Sequence, residues 1–147
     1  MNIILRIAEE KDFPAILELI REMADFENMS DKLFNSVERM KAEKEYLNCF
    51  VAETTENKII AYATYFFTYH TFIGKCLYMD DLYVKSDYRG NGIGLRLMNK
   101  VIEFAKENQC HKLRWQVSSW NEGAKKFYKN LGAQIDGIEQ NCDLLLS

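Results

Sequence analysis

The chain is short of most features that would point away from an ordinary enzyme domain. It has 147 residues with a single proline and seven glycines, so there is little material for linkers and one domain over residues 1–147 is expected. The four cysteines, Cys49, Cys76, Cys110 and Cys142, form no C-x-x-C pair. That excludes a disulfide framework or a zinc site as the organising feature, and idle thiols in a reducing cytoplasm are expected. The two histidines, His70 and His111, have no partner at ligand spacing, so no metal is expected. Charge of one sign is also scarce. The 19 basic and 22 acidic residues leave a net charge of -3, with no basic stripe of the kind that nucleic acid demands. The apolar run at the N-terminus, Ile3 to Leu5, is too brief for a signal peptide, and no stretch approaches the ~18–20 apolar residues of a membrane span. A cytoplasmic location is the default expectation.

What is present reads as a globular α/β chain, 48% hydrophobic and 28% charged. Ile3 to Ile7 is a β-branched run and predicts a strand. Asp12 and Pro14 mark a helix start, with Asp12 as N-cap, and Ile16, Leu19, Ile20 and Met23 repeat at helical spacing behind them. A weaker helix is predicted over about Asp31 to Tyr46. Strands follow at Cys49 to Thr54, Ile59 to Tyr69 and Cys76 to Val84. The aromatic run Tyr65–Tyr69 reads as the doubly covered centre of the second of these. After a glycine-rich turn, Gly94, Leu97, Met98, Val101, Ile102 and Ala105 line one face of a long helix. Lys112 to Ser118 predicts a strand and Asn121 to Leu131 a short helix closed by Gly132. One or two short strands are expected after Ala133. This order implies a mixed, mostly antiparallel sheet of six to seven strands with helices on both faces.

The turn itself, Arg89-Gly90-Asn91-Gly92-Ile93-Gly94-Leu95, sits between a strand and the first turn of a helix. Helix N-termini expose unpartnered N–H groups and the positive end of the helix dipole, and glycine lets a phosphate approach the backbone. A P-loop would need Lys-Ser/Thr after its last glycine, and a dinucleotide fingerprint would need glycine where Leu95 stands. The pattern [RQ]-x-x-G-x-[GA] is matched in full by Arg89, Gly92 and Gly94. It resembles the pyrophosphate-binding signature of the GNAT superfamily of N-acetyltransferases.

A narrower resemblance runs through Tyr65–Tyr69, Ile73-Gly74-Lys75, Leu77–Val84 and Ser86–Gly90. It resumes at Trp120-Asn121-Glu122, Phe127-Tyr128-Lys129 and Gly132-Ala133. These segments are similar to the spermidine/spermine (diamine) N-acetyltransferases, including the branch that acts on thialysine. The resemblance implies acetyl-CoA as cofactor, a small primary amine as substrate and a homodimer. It implies that Leu82, Tyr83 and Val84 pair with the pantetheine arm, that Arg89 to Leu95 hold the pyrophosphate, and that Asn121 touches the cofactor. Tyr128 would be the general acid near the thioester sulfur. Phe26, Glu27, Asp80 and the stretch Arg114, Trp115, Gln116 would face the substrate. Two departures stand out: Asp80 where relatives carry glutamate, and Phe26 in place of a tyrosine.

The chemistry fits these residue types. A lysine-like amine must lose a proton before attacking a thioester, which costs about 4–5 kcal/mol at pH 7. Asp80, Asp81 and Glu27 are candidates to bind cationic nitrogens or accept that proton through water. A backbone N–H near Leu82 suits the developing oxyanion. No cysteine or serine has an evident base partner in the sequence, so direct transfer is expected. The rival expectations are a GNAT enzyme for another amine (an amino acid analogue, an aminoglycoside or a protein N-terminus) and a non-catalytic acyl-CoA-binding module.

Overall fold

Alternating apolar residues build the strands and helical repeats build the helices that cover them. In the computed structural model, which describes residues 2–146, β1 (Ile3–Ile7), β2 (Asn48–Thr54), β3 (Ile59–His70), β4 (Gly74–Val84) and β5 (Leu113–Arg114) form one sheet in that order. Neighbours are antiparallel from β1 to β4, and β5 joins β4 in parallel. The chain divides into two compact units, Met1–Trp115 and Gln116–Ser147. The sheet belongs to the first unit.

Period-two alternation on the sheet splits its side chains between two helix-covered faces. Cys49, Val51, Tyr62 and Tyr83 form one core with Phe13, Ile16, Leu17 and Leu19 of α1 (Phe13–Phe26) and Met40 of α2 (Val37–Ala42). On the other face the rings of Phe50, Tyr65 and Phe67 pack on Phe104 of α3 (Ile93–Glu107). Ile16, Val51, Tyr62, Leu97 and Val101 are wholly buried. Full burial of such side chains stabilises the fold by roughly 1.5–3 kcal/mol each.

Several expectations need correction. The sheet of the described residues has five strands, not six or seven. After Ala133 none forms, because Ile135 and Ile138 lie three apart amid Asp136, Gly137, Glu139 and Asn141, with no period-two pattern. The strand expected over Lys112 to Ser118 keeps only Leu113–Arg114. Its ladder reaches Tyr78 and stops two residues short of a bulge in β4 that would break a straight parallel register. The helix expected over Asp31 to Tyr46 is three short pieces, Ser30–Lys32, α2 and Lys44–Tyr46. Ser36 interrupts it: extended in its backbone, it caps a fresh helix by accepting from the Arg39 N–H at 3.1 Å. The aromatic run of β3 is not core throughout. β2 ends opposite Tyr65, and Phe66, Phe67 and Tyr69 beyond it are exposed. Asp12 does not cap α1 with its side chain either, because Arg6 claims its carboxylate at 2.7 and 2.9 Å.

In the second unit, α4 (Glu122–Asn130) is capped by Asn121, whose Oδ1 accepts from the Ala124 N–H at 3.1 Å. It closes at Gly132, which carries a left-handed φ of 94°.

Candidate active site

β4 is the element on which the first unit's candidate residues converge. Thr64 of β3 pairs with Asp81 and Tyr65 pairs with Met79, so Asp80 is the extra residue of a β-bulge. On its other side β4 is held by β5 at Leu77 and Tyr78 only. From Met79 to Val84, among the described residues, that edge has no strand beside it, which leaves main-chain groups around Leu82 for an extended ligand, while the Val84 carbonyl accepts from Arg89 Nε.

Directly past the bulge, Asp81 shares the α1 face with Tyr62 and Tyr83. Asp81 accepts a hydrogen bond from the Tyr62 hydroxyl at 3.1 Å, and its N–H donates to Thr64 Oγ1 at 3.1 Å. Burial pushes the Asp81 carboxyl up to about 6, the neighbouring Asp80 charge adds to the rise, Tyr62 opposes it, and Glu27 at the end of α1 raises it further. Desolvation lifts Asp80 as well. The structure therefore brings Glu27, Asp80 and Asp81 into one electrostatic cluster. Tyr62 and Thr64 were missed in the sequence. Both lie on β3 opposite Tyr83 and Asp81, and only the strand register shows it.

β4 leads through Ser86–Tyr88 into the glycine turn. Gly90 and Gly92 take φ of 81° and 75°, which side chains rarely adopt, and a Cβ on either would point into open space. Gly92 is the N-cap of α3 and supplies no side-chain cap, and the first turn carries no acid, so the leading N–H groups of a 15-residue helix face the turn. Asn91 braces it by donating to the carbonyls of Tyr88 and Arg89 at 3.1 and 3.4 Å. Ile93 anchors it in the core, Leu95 is exposed, and Gly94 lies against Val84. These residues fit a diphosphate: an open cradle of main-chain donors with no competing carboxylate. The Arg89 side chain is engaged elsewhere. Its Nε donates to the Val84 carbonyl at 2.9 Å, and its guanidinium lies between the rings of Tyr83 and Phe26, at 5.2 and 5.3 Å. Phe26 is thereby tied to the start of the turn. Tyr83 also donates to Glu22, which pairs with Lys85 at 2.6 Å.

Of the stretch expected to line the substrate, Arg114 ends β5 and is exposed, and Trp115 closes the first unit outside any strand. Gln116 opens the second unit, where its amide donates to Asn141 Oδ1 at 2.7 Å. In that unit Tyr128 sits on α4, half-buried, with its ring edge-on to Phe127 at 5.4 Å. The N–H groups of Leu131 and Ala133 both donate to its carbonyl.

A five-stranded mixed sheet, bulged at β4 and followed by a glycine turn into a long helix, defines an acyl-transferring α/β domain. The chain belongs to the acetyltransferase (GNAT) family, whose model matches residues 10–133. It is 39% identical to the thialysine N-epsilon-acetyltransferase of Bos taurus over 143 residues, 90% of this chain and 84% of that protein. It is 32% identical to the spermidine/spermine N(1)-acetyltransferase-like protein 1 of Homo sapiens over 139 residues, 88% of this chain and 20% of that one. Among solved structures it superimposes on an aminoglycoside acetyltransferase from an uncultured soil metagenomic sample with a TM-score of 0.80. That pair shares 22% identity and 97% of each chain is covered. The chain is thus an acetyl-transferring enzyme of this family. Among the described residues no helix is long and apolar enough to cross a membrane.

Proposed function

We propose that this enzyme transfers the acetyl group of acetyl-CoA directly to a primary amine of a small di- or polycationic molecule, with a thialysine-like side chain or a polyamine as the substrate class. The observation that carries the reading is the cluster of Glu27, Asp80 and Asp81 beside the open edge of β4, with Asp81 held at about 6. A carboxyl in that range is mostly ionised at pH 7 yet basic enough to take a proton through water. The other two acids supply charge for a distal ammonium group. The identities of the relatives support the same amine class.

Bound acetyl-CoA supplies the activated acyl group. The residues of this chain do the rest. The amides of Gly90–Leu95, with Arg89 bracing the turn from Val84, hold the diphosphate, and the main chain of Leu82–Val84 aligns the extended arm. Asn121 completes cofactor binding, and Tyr128 donates a proton to the departing sulfur. Phe26 and the stretch Arg114–Gln116 shape the amine's path. A single N-acetyltransferase domain over residues 1–147 belongs to the proposal. A cytoplasmic homodimer belongs to the proposal on the resemblance alone.

The test is an amine panel with acetyl-CoA and a thiol-release assay. Thialysine, spermidine and putrescine should be acetylated with kcat/KM at least about 10-fold above matched monoamines, the discrimination that one ionic hydrogen bond sustains. Equal rates on mono- and diamines overturn the substrate assignment.

A further inference from the structure

We infer that Tyr62 is a positioning residue for acetyl transfer: its buried hydroxyl holds the Asp81 carboxylate while that group is charged and turns to the Met23 thioether when Asp81 takes up a proton. The inference rests on Asp81 as the proton acceptor.

Tyr62 is wholly buried in β3, and its oxygen lies 3.1 Å from Asp81 Oδ2 and 3.7 Å from Met23 Sδ of α1. A phenol carries one proton, and here it has two acceptors. Facing an ionised Asp81, the O–H makes the charge-assisted bond, the stronger of the two. Once Asp81 is protonated, its own O–H can donate back to the phenol oxygen, and the phenol proton is then free to swing to sulfur. Only one proton is transferred in this sequence, from the amine through water to Asp81. The phenol proton rotates and never leaves, because burial and then the Asp81 charge keep Tyr62 well above the ordinary tyrosine range. The groups facing Asp81 are Asp80 and Tyr78 on β4, Tyr62 on β3, Cys49 on β2 and Glu27 at the end of α1. Against two acids and a desolvated setting, Tyr62 is the partner that favours the charged form. The swing also gives the protonated form a partner, so both states of Asp81 keep their hydrogen bonds in a site where an unsatisfied polar group is costly.

The test follows the Asp81 carboxyl carbon by NMR titration of the full chain labelled at aspartate, with the signal assigned by its loss in Asp81→Asn. Kinetics with thialysine and acetyl-CoA are measured in parallel. Tyr62→Phe removes the donor to the charged form and should raise the Asp81 midpoint by about one pH unit, since a hydrogen bond to a charged group is lost. Met23→Leu removes the resting place of the phenol proton in the acid form and should lower the midpoint, by about 0.3 unit, because a thioether is a weak acceptor. Movements of opposite sign are not what packing alone would give. An unmoved midpoint in Tyr62→Phe, or a shift of the same sign in both variants, overturns the inference. If the Phe variant does not fold, the sign of the Met23→Leu shift, in a core of nearly unchanged volume, decides it. Loss of turnover in Asp81→Asn together with an unmoved Tyr62→Phe midpoint sinks this inference and leaves the catalytic reading intact. Retained turnover in Asp81→Asn sinks both.

Discussion

Two aspartates of the first unit are both withdrawn from water, and their surroundings drive them in opposite directions. Asp12, at the start of α1, accepts two hydrogen bonds from the Arg6 guanidinium at 2.7 and 2.9 Å and another from the Glu9 N–H at 2.7 Å. The Arg6 hydrogen bonds hold its carboxyl below the usual range and outweigh burial, and Glu53 takes the remaining face of Arg6 at 3.0 Å. Asp81 is set among acids and a phenol instead. It receives a neutral phenol, sits beside Asp80 and near Glu27, and is pushed up to about 6. The first arrangement fixes where β1, β2 and the start of α1 meet. The second spends folding stability on a carboxyl that can accept a proton near neutrality, as the proposed role of Asp81 requires.

The contrast breaks most visibly on substitution to the amide. Asp81→Asn should lower kcat/KM by 100-fold or more, within the roughly 10²–10⁴ range of general base removal. It should leave thermal stability at pH 7 unchanged or improved, because an ill-solvated charge is gone. Asp12→Asn should do the reverse. It should cost about 2 kcal/mol of stability, because Arg6 loses a charged partner in a partly buried network, with kcat/KM per folded molecule unaltered. Thermal melts beside steady-state assays check both. A stability loss in the Asp81 variant equal to that of Asp12→Asn would erase the distinction.

How much of this was visible in the residues can be argued from the same two sites. The glycine turn and the helix behind it were legible because the backbone demand is local: Gly90 and Gly92 do adopt positive φ, and Leu97, Met98 and Val101 do line a buried face. The sheet class was legible from strand spacing, and Glu27, Asp80 and Asp81 could be named as candidates from their charge. Their grouping with Tyr62 could not, because it depends on which residue of β3 stands opposite which residue of β4. A single bulge at Asp80 decides that, and local sequence does not reveal a bulge. Likewise Asp12 read as a helix cap, and only the long-range reach of Arg6 from β1 changes its role.

The next effect is smaller and tests the sign of each shift. A carboxyl whose native value is depressed, Asp12, contributes stability at pH values above its unfolded range, near 4, and loses it as pH falls through the native value. A carboxyl whose native value is raised, Asp81, costs stability as pH climbs from about 4 through about 6, and the penalty is complete above that. Melting curves from pH 4 to 7 should therefore diverge. Asp12→Asn should lose ground to the parent as pH rises to about 5 and then hold steady. Asp81→Asn should gain on the parent up to about pH 7, by on the order of 2 kcal/mol. Parallel curves for the two variants would mean that the two carboxyls are not perturbed in opposite senses.

The finest test concerns the neighbour rather than the carboxyl itself. Asp80 is the bulged residue, and its charge is the second largest cause of the rise at Asp81, after burial. Asp80→Asn keeps the shape and removes that repulsion, so the Asp81 midpoint should fall, while burial, the larger cause, keeps it above the ordinary aspartate value. The acid limb of the rate profile should follow in the same direction. A midpoint that collapses to near 4 would instead make the acidic pair, and not the desolvated seat on the α1 face, the origin of the proton affinity. Asp80 would then share the titration as a coupled dyad, with macroscopic values belonging to both residues.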